Sequence, residues 1–446
     1  MAETAAAPEA VTHARVLRIA VPVVLSNVTV PLLGIVDTAV VGQMGEAAPI
    51  GAVGLGAAIL TTLYWFFGFL RMGTTGLAGQ ALGQGDAGEV DAILARALLI
   101  ALGAGLLLIL LQVPLFALAL RVAPASPAVE AMVASYLGIR IVTAPAAIAV
   151  YGITGWLIAA ERTRGVLALQ LVMNGLNIGL SAWFVLGLGW GVPGVAAATA
   201  IAEVAGAALG LWFCREVLAR PHWRERARLL APARLARLLA VSTDITIRSV
   251  FLMAAFTSFI FLSARFGEVT LAANQVLIQF LYLASYGLDG FAFAVEALVA
   301  RMLGAGRARA LRRAVLLCGA WTMGTAAAVA LAYAVFGGAI VDAMTTAPEV
   351  RAAARDFLPW LVAMPLVAAG SFLLDGVFIG ATRTQEMRNM MALSFAAYLL
   401  AVVALMAPLG NHGLWAAVVV FFVARFLTLM LVYPRVEGSA ASGGST

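Results

Sequence analysis

Eight ionisable side chains stand inside otherwise apolar stretches: Asp37, Arg71, Glu203, Asp244, Arg248, Asp289, Glu296 and Asp375. A charge held at the centre of a bilayer costs at least about 2.5–3.5 kcal/mol, so such groups face a cavity or a partner. Six of the eight are acids. An acid-lined interior attracts cations, and a carboxyl in apolar surroundings can exchange its proton within the physiological range. Asp37 is the sharpest case, because Pro22 and Pro31 precede it on the same run. A proline inside a helix removes one backbone hydrogen bond and favours a kink. A carboxyl on a bendable helix offers a switch, since protonation removes its charge and changes which helix shape is preferred. The alternative is that Asp37 caps the helix in water beside the Gly42 turn.

Polar residues elsewhere can join it. Asn174 and Asn177 are spaced i,i+3 and share one helical face, with Ser181 four residues further on; Thr199 and Glu203 are spaced i,i+4. They form either a hydrogen-bonded cluster around the Asp37 proton or glue between neighbouring helices. Arg248 follows Asp244 by four residues, so the simplest expectation is an ion pair within the helix. Arg71 is expected to pair with a local acid. Asp289 and Glu296, seven apart on one face, and Asp375 are candidates for the lining of a second cavity, or for bonds between helices near a membrane surface. His13, His222 and His412 are scattered, Cys214 and Cys318 make a poor disulfide pair, and no metal or cofactor motif is visible. The coupling chemistry available is that of H+ or, alternatively, Na+.

The frame that must hold these residues follows from composition. The chain has 446 residues, 63% hydrophobic and 11% charged, with a mean hydropathy of +1.00, whereas soluble domains carry about 25% charge. An ordinary cytoplasmic enzyme, a nucleic-acid binder and a disordered scaffold are excluded; the chain reads as an all-α integral membrane protein. Apolar runs long enough to span a bilayer lie near 16–42, 50–80, 92–120, 128–160, 166–188 and 193–218, and again near 235–264, 269–301, 310–338, 352–381, 388–408 and 412–434. The first run contains Asp37 and lacks the signature of a cleaved signal peptide. All 28 basic residues are arginine. Twenty fall on the side that holds both termini against five opposite, Arg140 among the five, which places both ends in the cytoplasm.

The run also repeats. Gly83-Gln84-Gly85 matches Gly304-Ala305-Gly306, and Ile158 to Thr163 matches Ile379 to Thr384, at one offset of 221 residues (304 − 83 and 379 − 158). Each half holds six predicted spans, so both enter from the same side, and their pseudo-two-fold axis is expected along the membrane normal. The expected organisation is a cytoplasmic tail over 1–15, a first bundle over 16–218, a linker over 219–234, a second bundle over 235–434 and a tail over 435–446.

In order along the chain, these segments resemble the multidrug and toxic compound extrusion (MATE) family, its DinF branch in particular. The resemblance is carried by Pro22 with Val36-Asp37-Thr38-Ala39, and by Phe69-Leu70-Arg71-Met72-Gly73-Thr74-Thr75-Gly76 through Gln80 and Gly83. Further along it rests on Leu271-Ala272-Ala273-Asn274-Gln275, Ser285 to Ala292 with Glu296-Ala297-Leu298-Val299, and Asp375-Gly376 with Ile379-Gly380-Ala381 and Met387-Arg388-Asn389. The resemblance implies two six-helix lobes in a V, alternating access, and export of cationic or amphipathic compounds driven by inward H+ or Na+. It implies Asp37 as the protonation site, Pro22 as the bending point of the first helix, and Asn177 and Thr199 in the polar network beside it. Ser181 stands where the branch often has an acid, and Glu203 is a second source of negative charge. A lipid-linked oligosaccharide flippase of the same architecture would want several cavity arginines, whereas this interior is mostly acidic. A membrane enzyme would want aspartate-rich or His-Glu motifs that the chain lacks. The expectation is a monomer in the cell (inner) membrane that handles small amphipathic or cationic organic molecules among lipids, and no nucleic acid.

Overall fold

The structure is a computed structural model that describes residues 10–220 and 225–441. His222, most of the amino-terminal tail and the last five residues lie outside the described residues. Backbone groups in lipid must be satisfied within their own segment, so apolar runs of this length fold as helices. In chain order they are α1 (His13–Gly42), α2 (Ala47–Trp65), α3 (Gly68–Gln84), α4 (Ala87–Leu110), α5 (Gln112–Val122), α6 (Pro127–Ile141), α7 (Ala144–Ala159), α8 (Thr163–Ala182) and α9 (Gly191–Phe213). Two short helices, α10 (Arg215–Ala219) and α11 (Arg226–Leu229), lead to α12 (Pro232–Ser263), α13 (Glu268–Gly304), α14 (Ala308–Met344), α15 (Pro348–Gly380), α16 (Thr384–Leu409), α17 (Asn411–Val432) and α18 (Pro434–Ala441). Among the described residues, eleven stretches are long and apolar enough to cross a membrane, twelve when the bent pair α6–α7 counts as one. Each of the twelve falls on one of the expected runs. Their outer faces carry apolar side chains such as Leu110, Val403 and Leu431, each about four-fifths exposed (79–80%), as a surface in contact with lipid tails requires.

The repeat is written into the backbone. Glu161 and Thr382, 221 positions apart, are the two non-glycine residues with positive φ (58° and 52°) among the described residues. Each closes a helix, α7 or α15, with the same pair of turn hydrogen bonds: Glu161 N to the Ile158 carbonyl at 2.9 Å and Arg162 N to the Leu157 carbonyl at 2.8 Å, and Thr382 N to the Ile379 carbonyl at 2.9 Å and Arg383 N to the Phe378 carbonyl at 3.0 Å. A β-branched residue in this conformation is costly. At Thr382 the hydroxyl also accepts from Gln80 Nε2 and Arg237 Nη2, both at 3.1 Å, which ties the turn to α3 and α12. Gly83 and Gly304 make a reciprocal close approach: a Cβ on Gly83 would meet the Arg301 carbonyl oxygen at 2.2 Å, and one on Gly304 would meet the Gln80 carbonyl oxygen at 2.1 Å.

The two halves differ in continuity. Where the second half has the unbroken helices α13, α14 and α15, the first has the pairs α2/α3, α4/α5 and α6/α7, and α8 runs into a π turn at Trp183–Gly187. The α6–α7 pair bends by 55°. Pro145 at the start of α7 cannot donate into the preceding turn, and Gly105 of α4 lets it approach, since a Cβ there would meet the Pro145 nitrogen at 2.4 Å. Proline alone does not decide the break, because α15 runs on through Pro359 and Pro365.

Contacts divide the chain into two compact units. One holds the residues through Val24, Gly79–Gly85 and Ala236 onward; the other holds Leu25–Ala78 and Asp86–Leu235. α1 therefore contributes to both, and changes unit two residues after the buried Pro22. In the first unit Phe259, Tyr398, Trp415, Phe421 and Phe422 form the core; in the second, Leu60, Tyr136, Leu137 and Ile141 do so. The linker docks on the second unit: Arg96 of α4 donates to the Leu229 and Arg228 carbonyls, and Arg228 reaches Asp86 at 2.8 Å.

Candidate functional site

Asp37 lies on α1, five residues before its end, and is 5% exposed. Its carboxyl takes a hydrogen bond from a neutral group, the Ser181 hydroxyl of α8, at 3.1 Å. One turn earlier on α8, Asn177 is its other polar neighbour and donates through Nδ2 to Thr199 Oγ1 of α9 at 2.8 Å. The i,i+4 spacing of α8 thus aims Ser181 and Asn177 the same way. Asn174, on the same helix, is buried but serves a different bond, donating to the Thr29 carbonyl of α1 at 3.0 Å while accepting from Gln170. The Asn177 Oδ1 atom is buried without a hydrogen-bond partner.

Glu203 is spoken for. Arg140, at the end of α6, donates from Nη2 to Glu203 Oε1 at 2.5 Å, and the Thr143 hydroxyl, in the break between α6 and α7, donates to Oε2 at 2.6 Å. Arg140 also donates to the Tyr136 hydroxyl at 2.8 Å, and the Tyr64 hydroxyl of α2 reaches the Arg140 carbonyl at 3.5 Å. Arg140 is itself a charged neighbour of Asp37. The carboxyl, the carboxylate, the guanidinium and their hydroxyl and amide partners therefore form one buried set drawn from α1, α2, α6, α8, α9 and the α6–α7 break.

The acids of the second half sit differently. Asp375 of α15 lies between two arginines: Arg248 of α12 donates to Oδ2 at 2.8 Å, and Arg425 of α17 donates to both oxygens, to Oδ1 at 3.2 Å. Asp244 accepts from Arg388 Nη1 at 2.6 Å and from the Thr384 hydroxyl at 3.0 Å, both on α16. Spacing predicts an Asp244–Arg248 pair within one helix; the structure shows pairs between helices at both residues, Asp244 with Arg388 and Arg248 with Asp375, since burial lets each charge reach across to a neighbour. Glu296 of α13 is buried, and Asp289 on the same helix is half-buried beside Tyr286. Arg71 is buried, with Gly155 of α7 packed against its backbone. Cys214 and Cys318 are free and buried.

A model of the MatE family matches the chain twice, over residues 22–183 and 245–406. Over 425 residues the chain is 39% identical to the DNA damage-inducible protein F of Escherichia coli (strain K12), covering 94% of this chain and 91% of that protein. This chain is a MATE-family transporter. A more distant relative is Protein DETOXIFICATION 44, chloroplastic, of Arabidopsis thaliana, at 25% identity over 92% of this chain and 80% of that one. Among solved structures, the Vibrio cholerae MATE transporter VcmN in the bent form shares the fold at a TM-score of 0.83 and 21% identity, covering 97% of this chain and 98% of that one. An outward-facing multidrug resistance MATE family transporter of the MOP superfamily does so at a TM-score of 0.81 and 17% identity, covering 96% of each chain.

Arg140 is the member of this transporter's buried set that sequence reasoning misplaced. Arginine counting assigned it to the side opposite the termini, although it stands well inside the 128–160 run. It is 8% exposed. The signal was its position inside the 128–160 run, with Tyr136 four residues before it on the same face and Pro145 close behind. Together these mark a charge held where a span is broken rather than where it ends.

Proposed function

We propose that this MATE transporter is a proton-coupled antiporter that exports organic cations by alternating access, with Asp37 as the group that trades its proton for cargo. The observation that carries the reading is the contrast at Asp37. Glu203, Asp244 and Asp375 are each held by arginine. Asp37 is buried in the membrane portion of the chain and bonded through a neutral hydroxyl. A carboxyl in that setting can gain or lose a proton without breaking an ion pair, and its negative form favours a cation beside it. The outward-open protein takes H+ on Asp37 and releases cargo; the inward-open protein loses the proton and accepts a cation. Coupling requires only that proton and cargo compete for the same state. α1 supplies the moving part, since it passes through Pro22 and belongs in part to each compact unit.

The same proposal places the protein as a monomer in the bacterial inner membrane with both termini in the cytoplasm, on the arginine asymmetry. It needs no cofactor other than the coupling ion. The test is efflux of a fluorescent monovalent cation such as ethidium from proteoliposomes under an imposed pH gradient or an imposed Na+ gradient, for the unaltered protein and Asp37→Asn. Efflux driven by the pH gradient, and lost in Asp37→Asn at unchanged folding, supports the reading. Efflux that persists in the variant, or that follows Na+ alone, overturns it.

A further inference from the structure

Burying an arginine beside a site meant for cations is a contradiction unless its charge is cancelled. At Arg140 it is cancelled by Glu203, at 2.5 Å, with Thr143 completing the carboxylate's second oxygen. We propose that the Arg140–Glu203 pair fixes the zero of charge at the Asp37 site, so that the site is neutral with the Asp37 proton present and carries one negative charge without it. The site then accepts monovalent cations, one for each proton released, and discriminates against neutral and anionic molecules. This inference rests on Asp37 as the exchanging group and adds the single charge of the cargo and the residues that set it.

The repeat supports a role particular to the first half. At the positions 221 residues further on, Arg140 corresponds to Leu361, Thr143 to Met364 and Glu203 to Ala424, while Asp37 corresponds to Ser258. The acid and the cancelled pair are thus present together in one half and absent together from the other. The span that carries Arg140 is broken at Thr143 in the first half, and its counterpart α15 is continuous. Asp37 is faced by Ser181 and Asn177 of α8 and by Arg140, and Arg140 by Glu203 of α9, Tyr136 on its own helix and Tyr64 of α2; Thr199 lies behind Asn177, and Tyr151 of α7 beside Glu203. Besides Asp37 itself, the one acid and the one base of this set are Glu203 and Arg140, so the sum is simple. Removing Glu203's charge alone raises it by one, and removing both charges restores it.

The test is equilibrium binding of tetraphenylphosphonium, a monovalent cation, to the purified full chain in detergent at pH 8. It is run for the unaltered protein, Glu203→Gln, the double variant Glu203→Gln with Arg140→Gln, and Asp37→Asn, with proton release counted by calorimetry in buffers of different ionisation enthalpy. Glu203→Gln is expected to weaken binding by about tenfold or more, because a cation beside an uncancelled guanidinium meets a charge of its own sign within a few ångströms. The double variant is expected to recover most of that loss although it removes more hydrogen bonds. A single variant that binds as the unaltered protein does, or a double variant no better than the single, overturns the inference; a single variant that fails to fold while the double folds and binds supports it. If Asp37→Asn binds tetraphenylphosphonium with full affinity and the same proton release, the reading of Asp37 itself fails, whatever the other variants do.

Discussion

The two halves of this transporter share turns and even an unfavourable backbone conformation at Glu161 and Thr382, yet they place their buried charges at unrelated positions. In the first half the Asp37 carboxyl leans on serine and asparagine, and the span that brings Arg140 towards it is broken between α6 and α7. In the second, Asp375 is clamped by two arginines between continuous helices, and the position equivalent to Asp37 is Ser258, bonded to the Tyr398 hydroxyl at 3.1 Å. Tyr398 in turn stands where the first half has Asn177. One scaffold therefore holds, in its first half, a buried carboxyl bonded through a neutral hydroxyl and, in its second, a buried carboxyl, Asp375, held by two arginines. A locked pair gives cohesion between helices, whereas a light bond to a neutral donor leaves protonation open.

That contrast is tested first at its strongest points. Asp37→Asn keeps the volume and the Ser181 bond but cannot lose its charge, because it has none. Proton-driven efflux is expected to fall to background while thermal unfolding in detergent stays within about 1 kcal/mol of the unaltered protein, since no ion pair is broken. Asp375→Asn is expected to show the reverse. It leaves Arg248 and Arg425 buried without their carboxylate, which costs about 3–5 kcal/mol and lowers yield and unfolding temperature. The surviving folded fraction keeps its pH-dependent transport. If Asp375→Asn instead abolishes coupling in well-folded protein, the second half is not merely structural.

Much of this was legible beforehand. All twelve spans follow from length and hydropathy, because the bilayer imposes one requirement on every segment. The repeat was visible at Gly83–Gly85 and Ile158–Thr163, where turns need glycine or a capped helix end whatever the surroundings. The partners of the buried charges were not legible. Spacing reports neighbours along one helix, so it offers Arg248 to Asp244 but gives no sign of the partners Arg388 and Asp375, which come from helices more than a hundred residues away. The breaks escaped for a related reason. Pro145 coincides with a break and Pro359 and Pro365 do not, since the outcome depends on what the neighbours supply to the freed backbone groups, here Thr143 bonded to Glu203 and a glycine on α4.

Smaller effects sharpen the contrast further. Ser181→Ala removes the one hydroxyl that donates to Asp37. That bond is stronger to the ionised carboxylate than to the neutral acid, so without it the carboxyl keeps its proton to higher pH. The pH profile of efflux is expected to move upward by up to about one pH unit, from a bond worth about 0.5–1.5 kcal/mol, with maximal rate preserved. A profile that stays in place would mean that Ser181 does not sense the charge of Asp37.

The smallest effect is expected at Ser258→Ala, the same operation carried out at the repeat-related position. Ser258 shares its hydrogen bond with Tyr398 and also reaches the Ala255 carbonyl at 2.9 Å, so its loss leaves a buried phenol without one partner. The cost is about 1 kcal/mol of stability. Neither oxygen changes charge near neutral pH, so nothing there can respond to a proton gradient, and the efflux profile of Ser258→Ala should overlie that of the unaltered protein. Profiles measured for the two alanine variants under one gradient compare equivalent sites directly. A displaced profile in Ser258→Ala would mean that the second half reports protonation too, and the division between a responsive half and a locked half would have to be abandoned.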